Sequence, residues 1–350
     1  MKAVILAGGE GTRLRPLTLS LPKPVVPVVD RPFLQHQLDL LVRAGVREVV
    51  LSLAYRPERI QAVFGDGSAL GLRLHYVVEE TPLGTGGAVR NALSLLDEQT
   101  VVLNGDVLTD VALTDVVGRH VASGAKATIV LTPVPNPTAY GLVETDAEGR
   151  VRRFLEKPKP EEITTDTINA GIYVLERSAI ATMAPDVNIS IERVFFPALL
   201  DSGALVLGPV HRGYWIDIGT PEKYLQVHQD VLRRRFDVTL AGERRGEAVV
   251  HAGARVDGSA VLEGCVYVGP GCHVEAGARI GPEVALVRNV RIGAGASVRQ
   301  SVLWDGSCVG PDARLERSLV GPAVRIGASA ALGGVVLGEG ALLGDFSRTF

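Results

Sequence analysis

The chain has 350 residues, 46% hydrophobic and 21% charged, with a formal net charge of −3, an ordinary globular composition long enough for two domains with separate cores. That charge argues against a nucleic-acid carrier, and the basic run Arg233-Arg234-Arg235 is short and reads as an exposed helix end. The apolar stretch before Gly8 is too short for a secretory leader, and no apolar run approaches the ~18 residues of a membrane span, so a cytoplasmic protein without membrane partner is expected.

From residue 1 to about 230, apolar runs of strand length alternate with segments of helical period. Strands are predicted at 2–7, 47–53, 73–78, 100–104, 126–132, 151–156, 169–175 and 214–218, with a helix over 33–44, where Leu34, Leu38, Leu41 and Val42 share a face and Gly45 ends the run. This is the pattern of a Rossmann-like α/β domain with a mostly parallel sheet, whose ligands bind beyond the carboxyl ends of the strands. A linker is expected over 237–247, where Ala241-Gly242 and Gly246 break the helix begun at Pro221.

The remainder, 248–350, carries a repeat. Val250, Val256, Leu262, Val268, Val274, Ile280, Leu286, Ile292, Val298 and Trp304 stand six residues apart, and after one shortened turn the register resumes at Val309 and Leu315, then at Val320, Ile326 and Leu332. Ten consecutive matches disfavour a β-sandwich, which needs period-two alternation. A six-residue aliphatic period among small residues is the signature of a left-handed parallel β-helix, three hexads to a coil and roughly five coils. The three cysteines, Cys265, Cys272 and Cys308, fall in this repeat without metal-ligand spacing and read as small core residues.

The first strand runs into Leu6-Ala7-Gly8-Gly9-Glu10-Gly11-Thr12-Arg13-Leu14-Arg15-Pro16-Leu17-Thr18, followed by Pro22-Lys23-Pro24. Glycines there let backbone N–H groups approach phosphate oxygens, while Arg13 and Lys23 supply fixed positive charge. The P-loop order is absent, and Leu14 stands where a dinucleotide fingerprint needs its third glycine. Asp106, after Asn104-Gly105, and Asp217, after Trp215-Ile216, each end an apolar run. Two such carboxylates suit magnesium, which takes one or two protein carboxylates plus phosphate oxygens and water, although an Asp in a turn commonly bonds its own backbone.

Only six of the 36 basic residues are lysines. Lys23 between prolines and Lys157 between Glu156 and Pro158 hold rigid positions where a compact ammonium is wanted, whereas Lys159 and Lys223 read as solvated surface residues. A second glycine cluster, Pro82-Leu83-Gly84-Thr85-Gly86-Gly87, leads into a helix and could line a base or ribose, or serve as a connection. Neither a nucleophile elbow nor a metal-binding histidine pair occurs.

Together these motifs resemble the sugar-1-phosphate nucleotidyltransferases. The likeness covers about residues 1–230 in order, through Leu83-Gly84-Thr85-Gly86-Gly87, Asn104-Gly105-Asp106, Tyr140-Gly141, Phe154-Leu155-Glu156-Lys157-Pro158, Asn169-Ala170-Gly171-Ile172-Tyr173 and Trp215-Ile216-Asp217-Ile218-Gly219. With a hexapeptide tail it is most similar to members that join mannose-1-phosphate to GTP, which usually carry alanine where Gly86 stands; glucose-1-phosphate with dTTP or UTP is the alternative.

The resemblance implies a nucleotidyltransferase domain over 1–236 and a role for each matching residue. Leu6, Ala7, Gly8, Gly9, Gly11 and Thr12 would hold the triphosphate, and Arg13 and Lys23 would neutralise it. Asp106 and Asp217 would bind magnesium, the two cations and two carboxylates forming the catalytic set. Pro82, Gly84 and Thr85 would face the nucleoside; Lys157 would hold the sugar phosphate; Gly141, Glu156 and Asn169 would contact sugar hydroxyls.

Two readings from other classes compete. A hexapeptide acyltransferase would use His273, which precedes inward Val274 and should point outward. A non-catalytic regulatory subunit would keep the fold but lose its charged residues, and Arg13, Lys23, Asp106 and Asp217 are all present. The open edge of a terminal β-helix coil also predicts a homo-oligomer through 248–350.

Overall fold

A computed structural model provides the fold and describes residues 1–349. The chain's contacts divide it into two compact units, Met1–Glu10 with Leu34–Trp215, and Gly11–Phe33 with Ile216 onward. None of the described helices is long and apolar enough to cross a membrane.

The first unit is built on a nine-stranded sheet. Lys2–Leu6 lies between Glu48–Leu53 and Gln99–Asn104, parallel to both, with Arg73–Val78 beyond. Ala3, Val4 and Ile5 are wholly buried, which explains why this strand reads as a continuous apolar run rather than an alternating one. Register sets Leu6 opposite Asn104, so the glycine segment and the Asn104-Gly105-Asp106 turn leave the sheet side by side at its carboxyl edge. The helix Phe33–Arg43 ends one residue short of its predicted bound, and Gly45 follows at φ 81°.

The other half of this sheet is antiparallel except for Val206–Leu207, which runs parallel to Ala127–Pro133. Thr167–Glu176 runs against Gln99–Asn104 and Ala127–Pro133, and Gly141–Thr145 forms a hairpin with Val151–Glu156. Asp146 closes that hairpin by accepting from the N–H groups of Glu148 and Arg150, with Gly149 at φ 76°.

Most of the second unit is a parallel β-helix. Its three sheets stack short strands coil upon coil, as in Val266–Val268, Val284–Leu286, Val302–Leu303 and Leu319–Val320. Val250, Val268, Val274, Ile280, Leu286, Ile292 and Val298 face the buried core as the hexads predict.

Trp304 does not join this inward column. Leu286 pairs with Leu303, so the shortened turn comes one hexad earlier than the spacing suggests and Leu303 takes the inward place. Trp304 instead lies outside the coil, buried against Tyr224 with ring centroids 6.0 Å apart. Cys272 is buried, its thiol pushed up to about 11 by that burial, while Cys265 and Cys308 are half-buried. Within 237–247, Glu243–Arg245 pairs antiparallel with Ala248–Val250.

Candidate active site

In the first unit, the predicted residues gather at the carboxyl edge of the sheet and over its antiparallel half. Gly105 donates its N–H to the Leu6 carbonyl at 2.9 Å, and a Cβ on Gly105 would stand 2.4 Å from that oxygen. Only glycine lets the Asp106 turn approach the end of the first strand so closely. Gln37, buried on the Phe33–Arg43 helix, clamps the same turn by donating to the carbonyls of Asn104 at 2.8 Å and Val107 at 2.9 Å.

The glycines before residue 10 differ from one another. A Cβ on Gly8 would meet the Ala54 nitrogen at 3.3 Å, whereas one on Gly9 would meet nothing within 4 Å. Gly8 is set by packing, and Gly9 is open to whatever approaches the loop.

The second glycine cluster is shaped by its own chain. Gly86 and Gly87 both donate to the Ile189 carbonyl, at 2.7 and 3.2 Å, and Cβ atoms on Gly84 and Gly87 would lie 2.7 and 2.5 Å from backbone oxygens of Ile189 and Val187. The Pro82 carbonyl accepts from Asn188. Thr85 donates to Glu192 at 2.8 Å and accepts from the Ile191 N–H at 2.9 Å. The glycines therefore dock the Gly84–Asn91 helix on the 187–191 segment, a long-range contact without local sequence signal.

Gly141 and Glu156 are register partners, and a Cβ on Gly141 would lie 3.0 Å from the Glu156 carboxylate. The Phe154 ring lies closer still, 2.7 Å from that position, so glycine is what lets the ring and the carboxylate pack against this strand. Burial, then the nearby Glu192 carboxylate, push the Glu156 pKa above its ordinary value, against the pull of Lys157 and Arg193. Lys157 holds a left-handed conformation, φ 53°, with its N–H on the Tyr140 carbonyl. Asn169 donates to the Tyr173 hydroxyl at 2.8 Å, and that hydroxyl faces Glu192 at 3.4 Å. Glu192 and Gln37 contact the predicted residues yet are missed by the motifs, because neither belongs to a glycine or lysine cluster.

In the second unit, Gly11 turns at φ 64° with its carbonyl held by Thr18, and a Cβ there would meet Lys23 Cβ at 3.3 Å. Thr12, Arg13 and Leu14 form the short helical turn that follows. Lys23 is buried in the Pro22–Pro24 corner, 8% exposed. Around Gly219, a Cβ would lie 3.0 Å from Asp217 Oδ2 and 3.1 Å from Arg13 Nη1, so glycine leaves room for a carboxylate and a guanidinium together. Lys223 donates to Asp217 Oδ1, which removes it from the solvated surface lysines.

Among the described residues no group of three or more His, Cys, Asp or Glu side chains is placed to hold a metal. Carboxylates taken one or two at a time are the donor set that magnesium uses when phosphates and water complete its shell.

Residues 2–234 match the nucleotidyl transferase family, and residues 262–346 match the GMPPB C-terminal domain. The mannose-1-phosphate guanylyltransferase of Mycobacterium tuberculosis is 44% identical over 85% of this chain and 83% of its own. The mannose-1-phosphate guanylyltransferase 1 of Arabidopsis thaliana is 38% identical over 91% of this chain and 90% of its own. A UTP–glucose-1-phosphate uridylyltransferase of Synechocystis is 34% identical over 91% of this chain and 87% of its own. Among solved structures, HddC from Yersinia pseudotuberculosis superposes with TM-score 0.58 at 30% identity, covering 65% of this chain and 98% of its own. That protein was also solved complexed with GMP-PN.

The fold and its glycine and cation motifs define a nucleotidyl-transferring enzyme. More particularly, the chain belongs to the sugar-1-phosphate nucleotidyltransferases, a family that generally uses a divalent metal.

Proposed function

We propose that this enzyme transfers a guanylyl group from GTP to mannose-1-phosphate, giving GDP-mannose and pyrophosphate, with magnesium as its metal. The observation that carries this reading is the 44% identity to the M. tuberculosis guanylyltransferase across both parts of the chain. The GMP-PN complex of HddC supports the choice of base.

In this reading residues 1–236 are the catalytic domain, 237–247 the linker and 248–350 the β-helix, through which the protein forms a homo-oligomer. The backbone from Leu6 to Gly11 and Thr12 hold the triphosphate, with Gly9 giving the open approach. Arg13 and Lys23 neutralise its charge, and Pro82, Gly84 and Thr85 form the wall beside the nucleoside. Lys157 holds the sugar phosphate, while Gly141, Glu156 and Asn169 receive the sugar hydroxyls. Asp106 and Asp217 are the carboxylates for magnesium, which when bound supplies positive charge to the phosphates. A phosphate oxygen of the sugar attacks the α-phosphorus in line, and pyrophosphate leaves. Both reactants are already anions, so the chain's contribution is alignment and charge neutralisation rather than a covalent nucleophile.

Glucose-1-phosphate with UTP or dTTP is the second reading, favoured by the uridylyltransferase relative. A pyrophosphate-release assay across four nucleoside triphosphates and several sugar phosphates separates them. Turnover restricted to glucose-1-phosphate with UTP or dTTP overturns the guanylyl assignment.

A further inference from the structure

The β-helix reaches the phosphate-loop segment by two independent contacts. The first runs through the helix Pro221–Leu232. Trp304, outside the coil and 2% exposed, packs edge-on against Tyr224 of that helix, with ring planes at 78°. Tyr224 donates its hydroxyl to the Pro27 carbonyl, four residues beyond Lys23. One turn further along, His228 Nδ1 accepts from the Val29 N–H at 3.2 Å, and Val29 is a wholly buried β-branched residue held at φ 57°. A left-handed valine is uncommon and persists only where its surroundings hold it.

The second contact is direct. On the last coils, a Cβ on Gly338 would stand 3.0 Å from Pro16 Cβ and 3.6 Å from the Pro16 carbonyl, three residues after Arg13. The coil backbone therefore lies against the Pro16 ring. Tyr267 also faces outward from the coil yet is 1% exposed, its hydroxyl pushed up to about 12 by burial and by the Asp30 carboxylate.

We propose that the β-helix is a positioning element of the active site: Gly338 against Pro16, and Trp304 through Tyr224 to Pro27, brace the Gly11–Val29 segment so that Arg13 and Lys23 meet the nucleotide phosphates in one fixed arrangement. This rests on the roles assigned above to Arg13 and Lys23. It makes Tyr224 and Gly338 positioning residues, and it gives the tail a task in each single chain, separate from assembly.

The test uses Gly338→Ala, which pushes one methyl into Pro16, and Tyr224→Phe, which deletes one hydroxyl. Gly344→Ala is the control, since a Cβ there meets nothing within 4 Å. In the full-length enzyme both test variants raise KM for the nucleoside triphosphate roughly tenfold, leave KM for the sugar phosphate unchanged, and speed hydrogen exchange at residues 12–29. Gly344→Ala matches the unmodified protein in all three. A purely architectural tail lowers the active fraction and leaves both KM values alone, and that outcome overturns the proposal, as does unchanged exchange at 12–29 in both variants. If the unmodified protein turns over no nucleoside triphosphate, the reading of the active site fails, and exchange alone then decides whether the segment is braced.

Discussion

Lys223 donates to Asp217 Oδ1 across the first turn of the helix that Thr220 caps. The other carboxylate oxygen faces Gly219, on the side where the Arg13 guanidinium lies. Asp217 thus has a cation on one oxygen, while its second oxygen and the Arg13 guanidinium both border Gly219.

Asp217→Asn keeps this geometry but loses the negative charge. Turnover should fall by about a hundredfold or more, as for loss of one preorganised electrostatic group, while circular dichroism stays that of the unmodified protein. Lys223→Met should act oppositely on metal demand. Without the ammonium, Asp217 attracts a cation more strongly, so the magnesium giving half-maximal rate should fall about two- to fivefold. A rise in that requirement contradicts the pairing argument.

Two glycines separate packing from ligand approach. Gly105→Ala places a Cβ 2.4 Å from the Leu6 carbonyl, an overpacking against backbone that should cost about 3 kcal/mol in denaturant titration. Gly9→Ala meets nothing within 4 Å, so its melting temperature should match the unmodified protein while calorimetry shows weaker nucleotide binding. Intact nucleotide affinity in Gly9→Ala removes the open-approach role.

Glu156 sets a pH dependence. Burial and Glu192 raise its pKa in the folded protein above 4.5, so the fold favours the protonated form. Its stabilising contribution is complete below 4.5 and is lost as pH rises through the folded value. Glu156→Gln should therefore melt higher than the unmodified protein at neutral pH and lose that advantage in acid, while KM for the sugar phosphate rises. Equal melting temperatures at neutral pH count against the raised pKa.

Arg233 binds Glu283 of the β-helix through Nε at 2.7 Å and through Nη2, and Gln300 donates to the other carboxylate oxygen at 3.3 Å. Glu283 is 9% exposed, but the Arg233 side chain is about a third exposed and water can take over its guanidinium, so Glu283→Ala should cost only about 1 kcal/mol in urea unfolding. Glu283→Gln should cost less, because it keeps one acceptor for Arg233.

The apolar runs and the hexads were legible because each is a local pattern: every predicted strand from 2–7 to 169–175 has its counterpart in the sheet. Gly141–Thr145 was not, since its Gly-Leu-Val-Glu-Thr has little alternation and depends on pairing with Val151–Glu156. Trp304 fits a six-residue count, but coil register is fixed by the pairing of Leu286 with Leu303, which spacing alone does not contain. In the site, Arg13, Lys23 and Asp106 stand in glycine- or proline-marked turns that sequence exposes. Glu192, Gln37 and the Lys223 link to Asp217 depend on contacts formed only in the fold.

The central claim is the reaction itself, and pyrophosphate release by the purified full-length chain tests it most directly. With magnesium, GTP and mannose-1-phosphate together should release pyrophosphate and form GDP-mannose, and omission of either substrate should stop both. Release with glucose-1-phosphate and UTP or dTTP but not with GTP and mannose-1-phosphate contradicts the substrate assignment, and no release with any pair contradicts the whole account.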